Sequence, residues 1–213
     1  MIVSLSILNI DKKDREPKIK DFMQIKDNWI HFDVMDGEFV ESKTFCYDVV
    51  KEVNEYCSFF KDVHLMTYNP KEYLTEYKKA GTDQITFHYE SVDEQEILQI
   101  ISEIKALKMK VGISVKPSTN IKCIEKYLPY LDLVLVMSVE PGKGGQKFME
   151  ESLMKIKWLK EQQKYNHYLI SVDGGINNET SELVKAAGVD IIVVGTYLTN
   201  GKMELNKINE LMK

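Results

Sequence analysis

The sequence predicts an α/β protein built as one (β/α)8 barrel domain across residues 1–213. Three observations predict it. Short apolar, β-rich runs alternate with segments of helical spacing, as βαβ units with right-handed crossovers require. Three of those runs, IHFDVMDG (30–37), DVHLM (62–66) and ISVDGG (170–175), deliver His or Asp at their C-terminal ends, where such barrels assemble their sites. No glycine-rich fingerprint follows the first run, which disfavours an open dinucleotide-binding sheet.

In chain order, the apolar runs predict strands at 2–7, 29–34, 62–65, 84–87, 110–115, 131–137, 168–172 and 191–194. Helical spacing with a polar face predicts helices at 70–80, 94–107, 149–163 and 178–187, two of them closed by Gly81 and Gly188 at the position where a left-handed residue ends a helix. The stretch 11–27 carries Pro17 and much charge, so the first helix is expected to be short or irregular.

Hydrophobic content of 44% and charged content of 29% are those of a soluble globular chain. A net charge of −5 argues against nucleic acid or an anionic membrane as partner. No stretch reaches the roughly 20 apolar residues of a spanning helix, and no signal peptide is apparent. Cys46, Cys57 and Cys123 are odd in number and lack metal or redox spacing. They read as free thiols of a cytoplasmic protein.

His31 and Asp33 lie two apart on one strand and so face one space. With His64 and Asp173 they supply two imidazoles and two carboxylates, a set that suits one divalent ion such as zinc, iron(II), manganese or cobalt. A single such His is more often a hydrogen-bonded core residue, but four converging groups argue for a task. The second and seventh strands lie three steps apart around an eight-stranded ring, so Asp33 and Asp173 face each other. Opposed carboxylates plus a Lewis acid suit inversion at a carbon next to a carbonyl.

EPGKGGQKF (140–148) follows an apolar strand, and Gly174, Gly175, Gly195 and Thr196 follow the last two. Together they read as a phosphate site. Met35, Met66 and Met137 sit at strand ends, as core filler or as an apolar cap that keeps water from an intermediate. His88 reads as a hydrogen-bonded structural residue rather than a fifth ligand, and His167 lies at the opposite end of its strand.

At these residues the chain resembles the ribulose-phosphate 3-epimerase family. The resemblance runs almost end to end, through SLSILN, HFDVMDGEFV, DVHLMTYNP, ITFHYE, VGISVKPST, VLVMSVEPGKGGQKF, VDGGIN and VVGT. It implies a TIM barrel of the ribulose-phosphate-binding type that interconverts D-ribulose 5-phosphate and D-xylulose 5-phosphate in the pentose phosphate pathway. It further implies one divalent metal ion per subunit on His31, Asp33, His64 and Asp173. Asp33 and Asp173 would be the acid–base pair at C3. Ser6 and His64 would lie at the substrate, and Gly142, Lys143, Gly144, Gly145, Gly174, Gly175, Gly195 and Thr196 would hold its phosphate. A homo-oligomer is expected.

The chain departs from the family pattern at Leu5, where Pro is usual, at Glu38, Glu41 and Ser42 of the loop after DVMDG, at Lys143, where Phe is usual, and at Thr196. These rim changes keep a ketohexose 6-phosphate such as allulose 6-phosphate as an alternative substrate. A non-catalytic sugar-phosphate binder is the alternative from another class, though a binder needs the glycines and not the two aspartates. A lysine-dependent aldolase or decarboxylase is disfavoured, because the strand ends hold His, Asp and Met. Metal affinity is expected to fall below about pH 6.5 as the imidazoles protonate.

Overall fold

The structure, a computed structural model, describes residues 1–212. Eight parallel strands close into a barrel in chain order: β1 (Ile2–Ser6), β2 (Trp29–Met35), β3 (Phe60–Met66), β4 (Gln84–His88), β5 (Lys110–Val115), β6 (Leu133–Met137), β7 (Leu169–Asp173) and β8 (Ile191–Val194). Most are β-branched or Leu-rich runs, and all are buried on both faces over their central residues, as a parallel sheet wrapped by helices demands. The fifth and eighth strands keep their expected bounds. β3 starts two residues earlier than expected, at Phe60, whose ring packs on Trp29 of β2 with centroids 4.2 Å apart.

The helices are α1 (Lys12–Phe22), α2 (Tyr47–Asn54), α3 (Leu74–Ala80), α4 (Ile97–Ala106), α5 (Ser152–Gln162), α6 (Asn178–Ala187), a short α7 (Thr196–Thr199) and α8 (Leu205–Met212). α3 and α6 end on Gly81 and Gly188, both left-handed, at φ 95° and 104°. The expectation of an irregular first helix is corrected. α1 runs unbroken for 11 residues with Pro17 inside it. The proline forfeits one backbone bond, but Ile19 and Phe22 are fully buried and Arg15 reaches Glu52 of α2 at 3.2 Å. The expected helix 70–80 is also corrected: it divides into a 3-10 turn at Pro70–Glu72 and α3. The crossover from β5 to β6 is a 3-10 run, Ile121–Tyr130, interrupted by Pro129.

Outward side chains such as Leu5, Phe32, Leu65 and Phe87 join the helices in the main core. The barrel interior is divided. β2, β3 and β4 place His31, Asp33, Asp62, His64, Gln84, Thr86 and His88 within it, all buried. β6 and β8 oppose them with a separate apolar cluster of Leu133, Leu135, Met137, Ile191 and Val193. No helix among the described residues is long and apolar enough to cross a membrane.

Candidate active site

The site follows from strand register. In β2 the inward positions alternate, so His31 and Asp33 share the interior, and pairing sets Asp33 beside His64 of β3 and His31 beside Ser6 of β1. Across the ring, pairing sets Asp173 beside Met137. The expected convergence of His31, Asp33, His64 and Asp173 is present: one donor atom from each lies within 4.8 Å of every other. Asp33 Oδ1 is 3.3 Å from both His31 Nε2 and His64 Nδ1, and Asp173 Oδ2 is 3.9 Å from the same two nitrogens. The second oxygen of Asp33 accepts a 2.7 Å hydrogen bond from Ser6 Oγ.

Two observations test whether a cation fits. His31 Nε2 is buried, faces this cluster and has no hydrogen-bond partner. Its other nitrogen, Nδ1, lies 3.0 Å from Asp62 Oδ2, while Asp62 Oδ1 accepts bonds from Gln84 Nε2 at 2.8 Å and Thr86 Oγ at 2.9 Å. Burial opposes the charge on Asp62, but His31 and these donors hold its carboxyl below the usual range. An ionised Asp62 only accepts, so His31 donates from Nδ1 and turns the Nε2 lone pair to the cluster. The donor set suits a divalent ion.

The electrostatics agree. Burial favours neutral forms throughout, yet Asp33 and Asp62 raise the His31 pKa well above its ordinary value. His31 and His64 in turn hold Asp33 far below the carboxylate range despite its burial. Asp173 keeps 18% of its side chain in solvent, but burial, and then the charge of Asp33, push it up to about 7. Three carboxylates converging in a low-dielectric interior call for positive charge: without a metal, protons on His31 and Asp173 supply it.

The same mouth opens onto a cleft of about 600 Å³, measured to its open rim, that runs past Met35, Met66 and Met137 to the glycine loops. The three methionines are buried at the strand ends, and Phe39 joins Met35 and Met66 in one apolar cluster. Gly142, Gly144, Gly145, Gly174, Gly175, Gly195 and Thr196 line the far end. Gly175 requires its residue type: φ is +66°, and a Cβ would sit 2.6 Å from the Phe148 nitrogen. Gln146 pins the β6 loop by donating to the Glu140 and Lys143 carbonyls at 2.7 and 2.8 Å. Asn9 donates to Thr196 Oγ at 3.1 Å. Lys143 is exposed on the rim.

His88 lies outside the donor set, stacked on His64 with centroids 4.9 Å apart. Burial pulls its pKa down to about 4, so the ring is neutral. His167 lies at the opposite end of the barrel, with Trp29 and Phe60. Sequence reasoning missed the supporting roles of Asp62, Gln84 and Thr86. The signal was available, because two-residue alternation puts Asp62 on the same face as His64.

The match to known proteins follows these residues. The model of the ribulose-phosphate 3 epimerase family matches residues 2–199. The chain belongs to the ribulose-phosphate 3-epimerase family. Family members similar to it include ribulose-phosphate 3-epimerases of Chlamydia pneumoniae, 34% identical over 93% of this chain and 87% of that protein, and of Schizosaccharomyces pombe, 38% identical over 91% and 85%. The Mycobacterium tuberculosis H37Rv protein of that name is 40% identical over 79% of this chain and 74% of its own. Among solved structures, a 3-hexulose-6-phosphate synthase superposes with TM-score 0.71 at 15% identity, covering 99% of this chain and 98% of its own. The tryptophan synthase α-subunit of Pyrococcus furiosus does so with TM-score 0.71 at 16%, covering 100% and 97%. Both share the barrel with this family member.

Proposed function

We propose that this family member interconverts D-ribulose 5-phosphate and D-xylulose 5-phosphate by proton transfer between Asp33, Asp173 and the substrate's C3. The observation that carries this reading is the placement of two carboxylates from opposite sides of the barrel in one donor cluster, at the mouth of a cleft that ends in glycine loops. His31, Asp33, His64 and Asp173 would hold a divalent ion, which supplies Lewis-acid stabilisation of the charge that develops on the substrate oxygens. The chain's own groups do the rest. One aspartate removes the C3 proton and the other delivers a proton to the opposite face, with the roles exchanged in the reverse direction. Ser6, bonded to Asp33 Oδ2, fixes that carboxylate's orientation and presents its hydroxyl to the reacting oxygens. Gly142–145, Gly174, Gly175, Gly195 and Thr196 bind the phosphate through backbone N–H groups. Met35, Met66 and Met137 cover the reacting centre and exclude water.

The test is exchange of the C3 proton with D2O alongside epimerisation. Wild type is expected to show both, while Asp33→Asn and Asp173→Asn each lose turnover by at least about 100-fold, in line with the loss of a general acid or base. Turnover surviving in either variant rejects the two-base assignment. No solvent exchange in wild type returns the chain to a binding role, and a large kcat/KM preference for a ketohexose 6-phosphate overturns the pentose assignment.

A further inference from the structure

The loop between β2 and α2 carries a carboxylate that the acid–base, metal and phosphate assignments do not use. Asp36 follows the last residue of β2. Its Oδ1 accepts from the backbone N–H groups of Glu38 and Phe39, each at 2.8 Å, and its Oδ2 accepts from the backbone N–H of Tyr68 at 2.9 Å. Tyr68 stands two residues past the end of β3, so one side chain fastens the loops of two neighbouring strands. The neck of the first loop is closed separately: Asp36 bridges Lys43, and the Thr44 backbone N–H donates to the Met35 carbonyl at 3.2 Å.

What the clamp holds is the Phe39 ring. Phe39 is buried and meets the ring of Tyr68 edge-on, with centroids 5.4 Å apart. Its ring also lies 4.9 Å from that of His88 and carries Lys116 Nζ 4.0 Å above its centre. On a further side it packs with Met35 and Met66, both of which line the cleft, while Phe39 stands behind them. Residues 37–42 form no helix or strand, so regular secondary structure does not fix where that ring sits. The backbone bonds to Asp36 do. A carboxylate has lone pairs for all three donors on its two oxygens, whereas a side-chain amide has one acceptor oxygen and serves one arm of the clamp.

We infer that Asp36 is a positioning residue for the epimerisation: it clamps the β2 and β3 loops so that Phe39 backs Met35 and Met66 and the reacting centre stays covered. A fixed backing matters because a methionine side chain is flexible and takes its shape from its neighbours. Asp36 itself lies outside both the donor cluster and the cleft lining, so it acts through Phe39. The inference rests on the reading of the methionines as a cover, and its test separates the two.

The test is epimerisation in D2O by the full chain, reading kcat together with the deuterium found at C3 of recovered substrate per product formed. That ratio is independent of how much of a sample is folded, and it rises when solvent reaches the group that holds the abstracted proton. Asp36→Ala is expected to raise the ratio and to lower kcat about 10-fold, since misplacement by about 1 Å costs up to about 100-fold. Asp36→Asn keeps one acceptor oxygen and is expected to fall between that variant and wild type; should Asp36→Ala not fold, Asp36→Asn takes its place. If the clamp acts through Phe39, adding Asp36→Ala to Phe39→Ala changes kcat by no more than about twofold, whereas independent sites multiply their losses. Multiplied losses overturn the inference. A lower kcat with an unchanged ratio in the Asp36 variants is a loss of fold alone and overturns it too. Unchanged kcat and ratio in those variants, beside a raised ratio in Met66→Ala, overturn the positioning role and leave the cover standing. An unchanged ratio in Met66→Ala overturns the covering role and the positioning role with it.

Discussion

Lys143 stands where the family pattern has an aromatic residue, in a loop whose glycines free their backbone for an anion. It is exposed, lines the cleft, and among the described residues its ammonium joins no ion pair. The neighbouring backbone is fixed by Gln146, so the side chain can reach a bound phosphate from a stable base. An exposed charge pair contributes at most about 1 kcal/mol, a factor of about five. Lys143→Phe is therefore expected to raise KM about two- to fivefold with kcat unchanged in steady-state assays, and an unchanged KM removes the phosphate role. His31, Asp33, His64 and Asp173 were legible because each combines a rare buried type with a strand end. Asp62, Gln84 and Thr86 were legible as residues but not as a network. Their roles depend on which side-chain atoms meet across three strands, and that is a property of register which periodicity within one strand does not carry.

At the scale of elements, α6 links helix chemistry to the glycine-lined end of the cleft. Asn177 accepts from the Glu179 and Thr180 backbone N–H groups at 2.8 and 3.0 Å, and Thr180 Oγ accepts from Asn177 N at 2.9 Å, a reciprocal cap. The same Thr180 hydroxyl donates to the Gly175 carbonyl at 3.0 Å. Thr180→Val removes the reciprocal bond and the tether on Gly175 together. It is expected to cost about 1 kcal/mol, or about 2–4 °C in Tm, and to raise KM for the sugar phosphate while kcat stays within about twofold. An unchanged KM at the lowered Tm means that the glycine turn holds its shape unaided. The bounds of α6 were readable because 178–187 has apolar periodicity closed by Gly188. The β5–β6 crossover was not, since Ile121–Tyr130 is a 3-10 run whose tighter winding leaves no 3.6-residue signal. Pro17 misled for a physical reason: it weakens a helix locally, while burial of Ile19 and Phe22, decided by the fold, restores it.

For the whole molecule, the divided barrel interior ties stability to cation binding. The polar half converges on a cluster with more carboxylate than imidazole charge, and the apolar half of β6 and β8 offers nothing to solvate it. Without metal, Asp173 is raised from 3.8 to about 7 and His31 is raised above 6.5. A group whose folded pKa is raised binds its proton more tightly in the folded chain, so its contribution is present at low pH and lost as pH rises through the folded value. Asp173 therefore favours the metal-free fold at mildly acid pH and has withdrawn that support once pH passes about 7, while His31 withdraws its own as pH rises above 6.5 toward its raised value. Asp33 acts in the opposite sense only in strong acid, because its folded pKa is far below the ordinary one. A cation must displace those same protons, so its affinity rises over the window in which the metal-free fold weakens. At a ligand concentration 100 times Kd the gain is about 2.7 kcal/mol. Differential scanning between about pH 5.5 and pH 8 is thus expected to show Tm falling in chelator, with the gap between cobalt-loaded and chelated protein widening as pH rises. A gap that stays constant or narrows with rising pH would mean that His31 and Asp173 do not release protons to the ion, and would remove them as its ligands.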